Sequence, residues 1–133
     1  MYAHVVTLPM PISAAITLLK SVLASEQLNI VSDLDMQAQI QDRFGRWVPP
    51  QRLLGINSPA FARALRQAEP DLWVRACGCD VREDMPGSTR IAVQEPLALT
   101  LVTRNSAACQ VLQQASDALQ RALTKLRAAP PPP

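Results

Sequence analysis

The sequence predicts an α+β domain: an antiparallel sheet of about five strands with helices packed on one face. Three observations predict it. Short runs rich in β-branched residues alternate with runs whose apolar residues recur at helical spacing. Proline and glycine punctuate the joints between them. The strand runs are joined by helices and, late in the chain, by a hairpin signal, which is the pattern of a sheet backed by helices.

The elements follow in order. "AHVVTLP", Ala3 to Pro9, is β-rich and stops at proline, so it predicts the first strand. Pro11 fits the first turn of a helix. Ile12, Ile16, Leu19 and Leu23 then fall on one helical face, and the helix should end near Gln27. "LNIVSDLDMQA", Leu28 to Ala38, predicts a second strand, with Ile30, Leu34 and Met36 on alternating sites. "QIQDRFG" predicts a short helix with Gly45 as its stop. "RWVPPQ" is a proline-stiffened loop, and "RLLGIN", Arg52 to Asn57, a third strand.

The next helix has a clear start, with Ser58 as cap and Pro59 in the first turn. Phe61, Ala64, Leu65 and Ala68 form its apolar stripe, and Pro70 stops it. "LWVRACGCDV", Leu72 to Val81, predicts the fourth strand, "DMPGST" a turn, and "RIAVQE" the fifth strand. After "PLALTLVTRN", Asn105 or Ser106 caps a long helix. Its stripe is Ala108, Val111, Leu112, Ala115, Leu119, Ala122 and Leu126, and the alanines let a neighbour approach closely. "AAPPPP" cannot continue a helix. Residues 1–129 therefore read as one domain and 130–133 as a polyproline tail. The predicted core is Ile16, Leu19, Leu23, Phe61, Leu65, Ile91, Val93, Leu112 and Leu119.

Composition narrows the function classes. The 133 residues suit a single domain able to bury a core without metal or disulfides. The net charge of +2 gives no demand for nucleic acid or an anionic membrane. Aromatics at 4% are too few for a base-stacking surface. Charged residues are only 18%, which favours self-association. No run approaches the ~20 apolar residues that span a bilayer. The first residues lack a basic start and are broken by Pro9 and Pro11, so they read as strand and helix and not as a secretory leader. Three cysteines cannot all pair within the chain, which points to a reducing, cytoplasmic compartment.

The chemistry-bearing residues are few. In "VRACGCDVRED", Cys77 and Cys79 lie two apart on a strand, hence on one face with Trp73, Arg75 and Val81, their Cα atoms ~6.6 Å apart. A disulfide between them would be strained. Two thiolates on one face are able to ligate a soft metal such as Cu(I) or Zn(II). However, "CGC" is not the spacing of a structural zinc site. The bland alternative is two small residues packed in a half-buried strand. Arg75 would favour a thiolate if that face is open. Cys109 reads as packing. His4 is the lone histidine, and it reads as structural. Asp33 with Asp35, and Glu83 with Asp84, are acid pairs without a third ligand or a glycine-rich loop, so they read as solvated surface. There is no phosphate loop or dinucleotide fingerprint.

"LPMPISAAITLLKSVLASEQLNIVSDLDMQAQIQDRFG", then "RLLGINSPAFARALRQAEPDLWVRACGCDVRED" and "IAVQEPLAL", resemble the bacterial and archaeal domain-of-unknown-function family 302. The likeness runs from about Val5 to Leu99 and includes "LLG-x-x-x-P" and "AEPD". It implies a curved antiparallel sheet backed by helices, resembling the TATA-binding-protein fold, and a homodimer. It implies no activity, and the fold likeness does not carry DNA binding. Members carry a cysteine in a "CNV"-like segment of the fourth strand, which "CDV" matches, placing Cys79 there. The resemblance thus marks Cys79 as the more reactive thiol if that face is open. A second family cysteine falls where this chain has "NSP".

Three functional readings follow: a homodimeric binding or interaction module without catalysis, a thiol-redox or soft-metal protein using Cys77 and Cys79, and an enzyme acting on a small molecule between sheet and helices. The first is preferred. No cofactor is indicated, and the open partner classes are a second copy, a small ligand or a soft metal.

Overall fold

The computed structural model describes residues 3–70, 77–101 and 103–129. Among these residues, five strands and four helices follow in the order β1 (Ala3–Leu8), α1 (Ile12–Ala24), β2 (Asn29–Asp35), α2 (Met36–Phe44), β3 (Gln51–Asn57), α3 (Pro59–Ala68), β4 (Cys77–Met85), β5 (Ser88–Gln94) and α4 (Ser106–Ala128), with a 3₁₀ turn at Pro96–Leu101. The strands form one antiparallel sheet in the order β1-β5-β4-β3-β2, as the α+β reading expects. The sheet is open, and β1 and β2 are its edges.

Period-2 alternation decides which side of the sheet is buried. Val6 and Leu8 of β1, Leu54 and Ile56 of β3, Cys79 and Val81 of β4, and Ile91 and Val93 of β5 all lie in the core. Register aligns them in rungs: Val6 faces Ile91, which faces Val81, and Val93 faces Cys79, which faces Leu54. Buried α1 residues Ile16, Leu19 and Leu23 and α4 residues Leu119, Leu123 and Leu126 complete this cluster. Leu65 of α3 joins Ala108 and Leu112 of α4 in a smaller one. Eight of the nine predicted core residues are buried; Phe61 is half-buried and packs against the core from its edge. The alanine side of α4 is spent inside the chain, since Ala108, Ala118 and Ala122 are all buried. The close approach that the alanines allow is thus used by neighbours within the chain.

The second strand departs from the sequence reading for an identifiable reason. A bulge between Ile30 and Ser32 shifts the register. Ile30 still faces Ile56, but Leu34 now lies opposite Leu53 on the outer side, where both are exposed. One extra residue turns every later side chain to the other face. The strand also ends earlier than expected. Asp35 accepts the amide of Ala38 at 3.0 Å and starts α2, so Met36 is helical. Gly45 stops α2 with a φ of 63°.

The hairpin is tighter than "DMPGST" implies: β4 runs to Met85 and β5 starts at Ser88, leaving only Pro86 and Gly87. Proline's fixed φ and the φ of 77° at Gly87 suit a type II turn. Glu83 holds this corner. It accepts the Gly87 amide at 3.0 Å and the amide of Ile12, the first residue of α1, at 2.7 Å. These two bonds lower its pKa. Pro11 has no side-chain cap to offer α1, so an acid from β4 supplies one.

Candidate functional site

Strands β3, β4 and β5 end beneath α3, the 3₁₀ turn and α4, and a cavity of about 450 Å³ lies between them. Ile56, Phe61, Leu65, Leu112 and Leu119 give it apolar walls. The polar lining comes from Asn57, Ser58, Cys77, Gln94 and Glu95. This volume falls in the range of small-molecule sites, which pair apolar walls with a few fixed polar groups.

Glu95 is the best-held polar group. It is buried, yet its carboxylate receives the Ser116 hydroxyl at 2.6 Å and the Leu97 amide at 3.3 Å on Oε1, and the His4 ring nitrogen on Oε2. An ionised carboxylate only accepts, so His4 Nε2 carries the shared proton. Burial alone would raise the Glu95 pKa, but the bonds from Ser116, His4 and Leu97 outweigh it, and the pKa lies below the ordinary value. Glu95 is therefore the charged group of the cavity among the described lining residues.

The two strand cysteines share the helix-facing side, both packing in the main core cluster. They differ in access. Cys79, between Leu54 and Val93, is 3% exposed. Cys77, one rung nearer the sheet end, is half-buried and lines the cavity. Cys77, and not the Cys79 that the resemblance singles out, is thus the thiol at the cavity. Cys77 Sγ donates to the Gln94 carbonyl at 2.7 Å. All three cysteines are free thiols. Burial, then the nearby Glu95 charge, pushes the Cys77 pKa up to about 12. Burial, then Cys77 and Asp80, pushes Cys79 up to about 12 as well. In the absence of a metal both are held as thiols at neutral pH, the weaker form for a nucleophile. Among the described residues, no three His, Cys, Asp or Glu side chains are grouped to hold a metal ion. Trp73 and Arg75, expected on the same face, lie outside the described residues.

The acid pairs are put to structural use. Asp33 receives Arg52 Nε at 2.6 Å, and Asp35 caps α2. Ser58 stands at the N-cap of α3, but its side chain makes no capping bond, contrary to the sequence reading. Asn57 instead occupies the preceding amide, its Oδ1 accepting from Ser58 N at 2.8 Å. Sequence reasoning missed Glu95, Ser116 and the pairing with His4. They stand 91 and 21 residues from their partners, and no local spacing joins them.

The comparisons agree with this architecture. A crystal structure of an uncharacterised conserved DUF302 protein from Bacillus stearothermophilus superposes with a TM-score of 0.83. It is 17% identical, and the alignment covers 96% of this chain and 99% of that one. At that identity the likeness shows the fold. No curated protein matches the chain. The family model for the domain of unknown function DUF302 matches residues 4–126, nearly the whole chain, and the chain belongs to that family.

Proposed function

We propose that this chain is a binding domain without catalysis, whose ligand is a small molecule seated between the sheet and helices α3 and α4. The observation that carries the reading is the cavity itself: about 450 Å³, apolar-walled, with its polar groups gathered at the strand ends. Catalysis finds less support. The cavity thiol is held protonated, and three of the roughly four acceptor sites of Glu95 are already occupied. Soft-metal binding by Cys77 and Cys79 finds less support, since Cys79 is buried and, among the described residues, no third His, Cys, Asp or Glu is grouped with them. A reducing, cytoplasmic setting suits three free thiols. Among the described residues, no helix is long and apolar enough to cross a membrane.

The test is ligand-observed NMR with 1-octanol. Saturable binding to the native chain, abolished when Ala115 on the cavity wall is replaced by tryptophan, supports the reading. Equal binding by the Ala115→Trp variant places the ligand elsewhere and contradicts it.

We also infer that the domain acts as a homodimer through the uncovered side of its sheet. Val5, Leu34 and Leu53 stand there 43%, 45% and 39% exposed. A stable dimer buries about 1,600 Å² in total. Sedimentation should give a dimer, and Leu53→Lys should shift it toward monomer. A monomeric native chain at tens of micromolar would contradict this.

A further inference from the structure

We propose that the outer side of the sheet carries a second site, a seat for a phosphate group on Arg82 and Arg90. It is separate from the cavity and does not rest on it.

Register builds the site. Thr7 of β1, Arg90 of β5, Arg82 of β4 and Gln51 of β3 lie on one rung, each opposite the next. Their chain neighbours Val6, Ile91 and Val81 are in the core, so these four side chains stand on the other side of the sheet. Residues directly opposed across two strands have Cα atoms about 5 Å apart. Two guanidinium groups are thus set side by side on central strands, both half-buried. Like charges directly opposite destabilise a sheet, and an anion bound between them removes that cost.

A second observation is independent of the register. Arg82 Nε is buried and has no hydrogen-bond partner. Asp80 Oδ2 lies 2.9 Å from it but off the N–H line, so the contact is one of charge alone. The other Asp80 oxygen accepts from Gln51 Nε2 at 2.8 Å. None of the ion pairs among the described residues includes Arg90 or the exposed Asp84. Glu83 is spent on the amides of Ile12 and Gly87. Arg82 itself stands at the hairpin end of β4, about 16 Å along the strand from Cys77.

The donors select the ligand. Each guanidinium is a planar fork that holds two oxygens. A carboxylate fills one fork, whereas a phosphate has oxygens for both and a charge approaching two. Thr7 adds an exposed hydroxyl at the end of the rung. A soluble phosphomonoester and a lipid headgroup offer this same chemistry. The dimer reading uses the next rung, with Val5 and Leu53, and leaves the arginines at the rim of that interface, where polar groups belong.

The test titrates inorganic phosphate and acetate into the native chain, Arg90→Gln and Arg90→Lys, read by amide NMR at fixed chloride. Thermal unfolding checks that the variants fold. Phosphate should give saturable shifts at Thr7, Arg82 and Arg90 while Cys77 and Ala115 at the cavity stay still. It should bind about tenfold tighter than acetate. Arg90→Gln should weaken it about tenfold, and Arg90→Lys should recover only part of the loss, since lysine keeps the charge without the fork. Phosphatidylcholine vesicles with and without phosphatidic acid identify the source. Co-sedimentation that needs phosphatidic acid and is lost in Arg90→Gln assigns a lipid headgroup; phosphate binding without it assigns a soluble ester. Acetate binding as tightly as phosphate overturns the phosphate assignment. Phosphate indifferent to Arg90→Gln, or no shift at Arg82 and Arg90, overturns the site and leaves the cavity reading untouched.

Discussion

Ser116 in the middle of α4 donates its hydroxyl to Glu95 Oε1 at 2.6 Å, and this bond ties the long helix to the end of β5. Ser116 is fully buried. A hydroxyl inside a helix stripe is costly unless bonded, and here its partner is a carboxylate that itself needs donors. The Ser116→Ala variant should lose about 1.5–3 kcal/mol, the range for a hydrogen bond to a charged group. Denaturant unfolding measures it. A loss below the noise would mean that Glu95 finds other donors unaided.

Acid should unfold the protein through its carboxylates. The pKa of Glu95 is lowered by its hydrogen bonds against burial, and that of Glu83 by the Gly87 and Ile12 amides. A depressed pKa contributes stability that is fully present above the unfolded value. That contribution fades as pH falls below 4.5 and through the lower, folded value. The melting temperature should therefore hold level above this range and drop below it. Glu95→Gln should start lower and fall less steeply with acid. A parallel curve would show that Glu95 carries no such linkage.

The thiols should be sluggish. A pKa of about 12 against an ordinary 9.0 leaves on the order of a thousandfold less thiolate at neutral pH. Cys77 should label before Cys79, because it faces the cavity while Cys79 sits in the core. Cys79→Ser should destabilise by about 1–3 kcal/mol by burying a hydroxyl. Cys77→Ser should cost less, since serine can keep the bond to the Gln94 carbonyl. Labelling timed by mass spectrometry reads the order, and fast modification of Cys79 would contradict the burial argument.

Much of the fold was legible because burial imposes a period. The stripes of α1 and α4 and the alternation in β5 led to buried residues directly. Leu34 was misplaced because one bulged residue reverses a strand's faces, and nothing in "NIVSDLD" marks which residue is extra. The candidate site was less legible. "CGC" pointed to Cys77 and Cys79 alike and the resemblance singled out Cys79, yet that thiol lies in the core and Cys77 lines the cavity. His4, Glu95 and Ser116 meet only because β1 pairs with β5 and α4 crosses behind them. Ser58 looked like an ordinary cap, and only the geometry shows that its hydroxyl forgoes that bond.

The most direct test of the account is an amide NMR titration of the native chain with 1-octanol. Binding in the cavity predicts saturable shifts at Ser58, Phe61, Cys77, Gly78 and Ala115, which surround it on three elements. Leu53 and Ala92, on the uncovered side of the sheet, should stay still. Shifts confined to that outer side, or none at saturating 1-octanol, would contradict it.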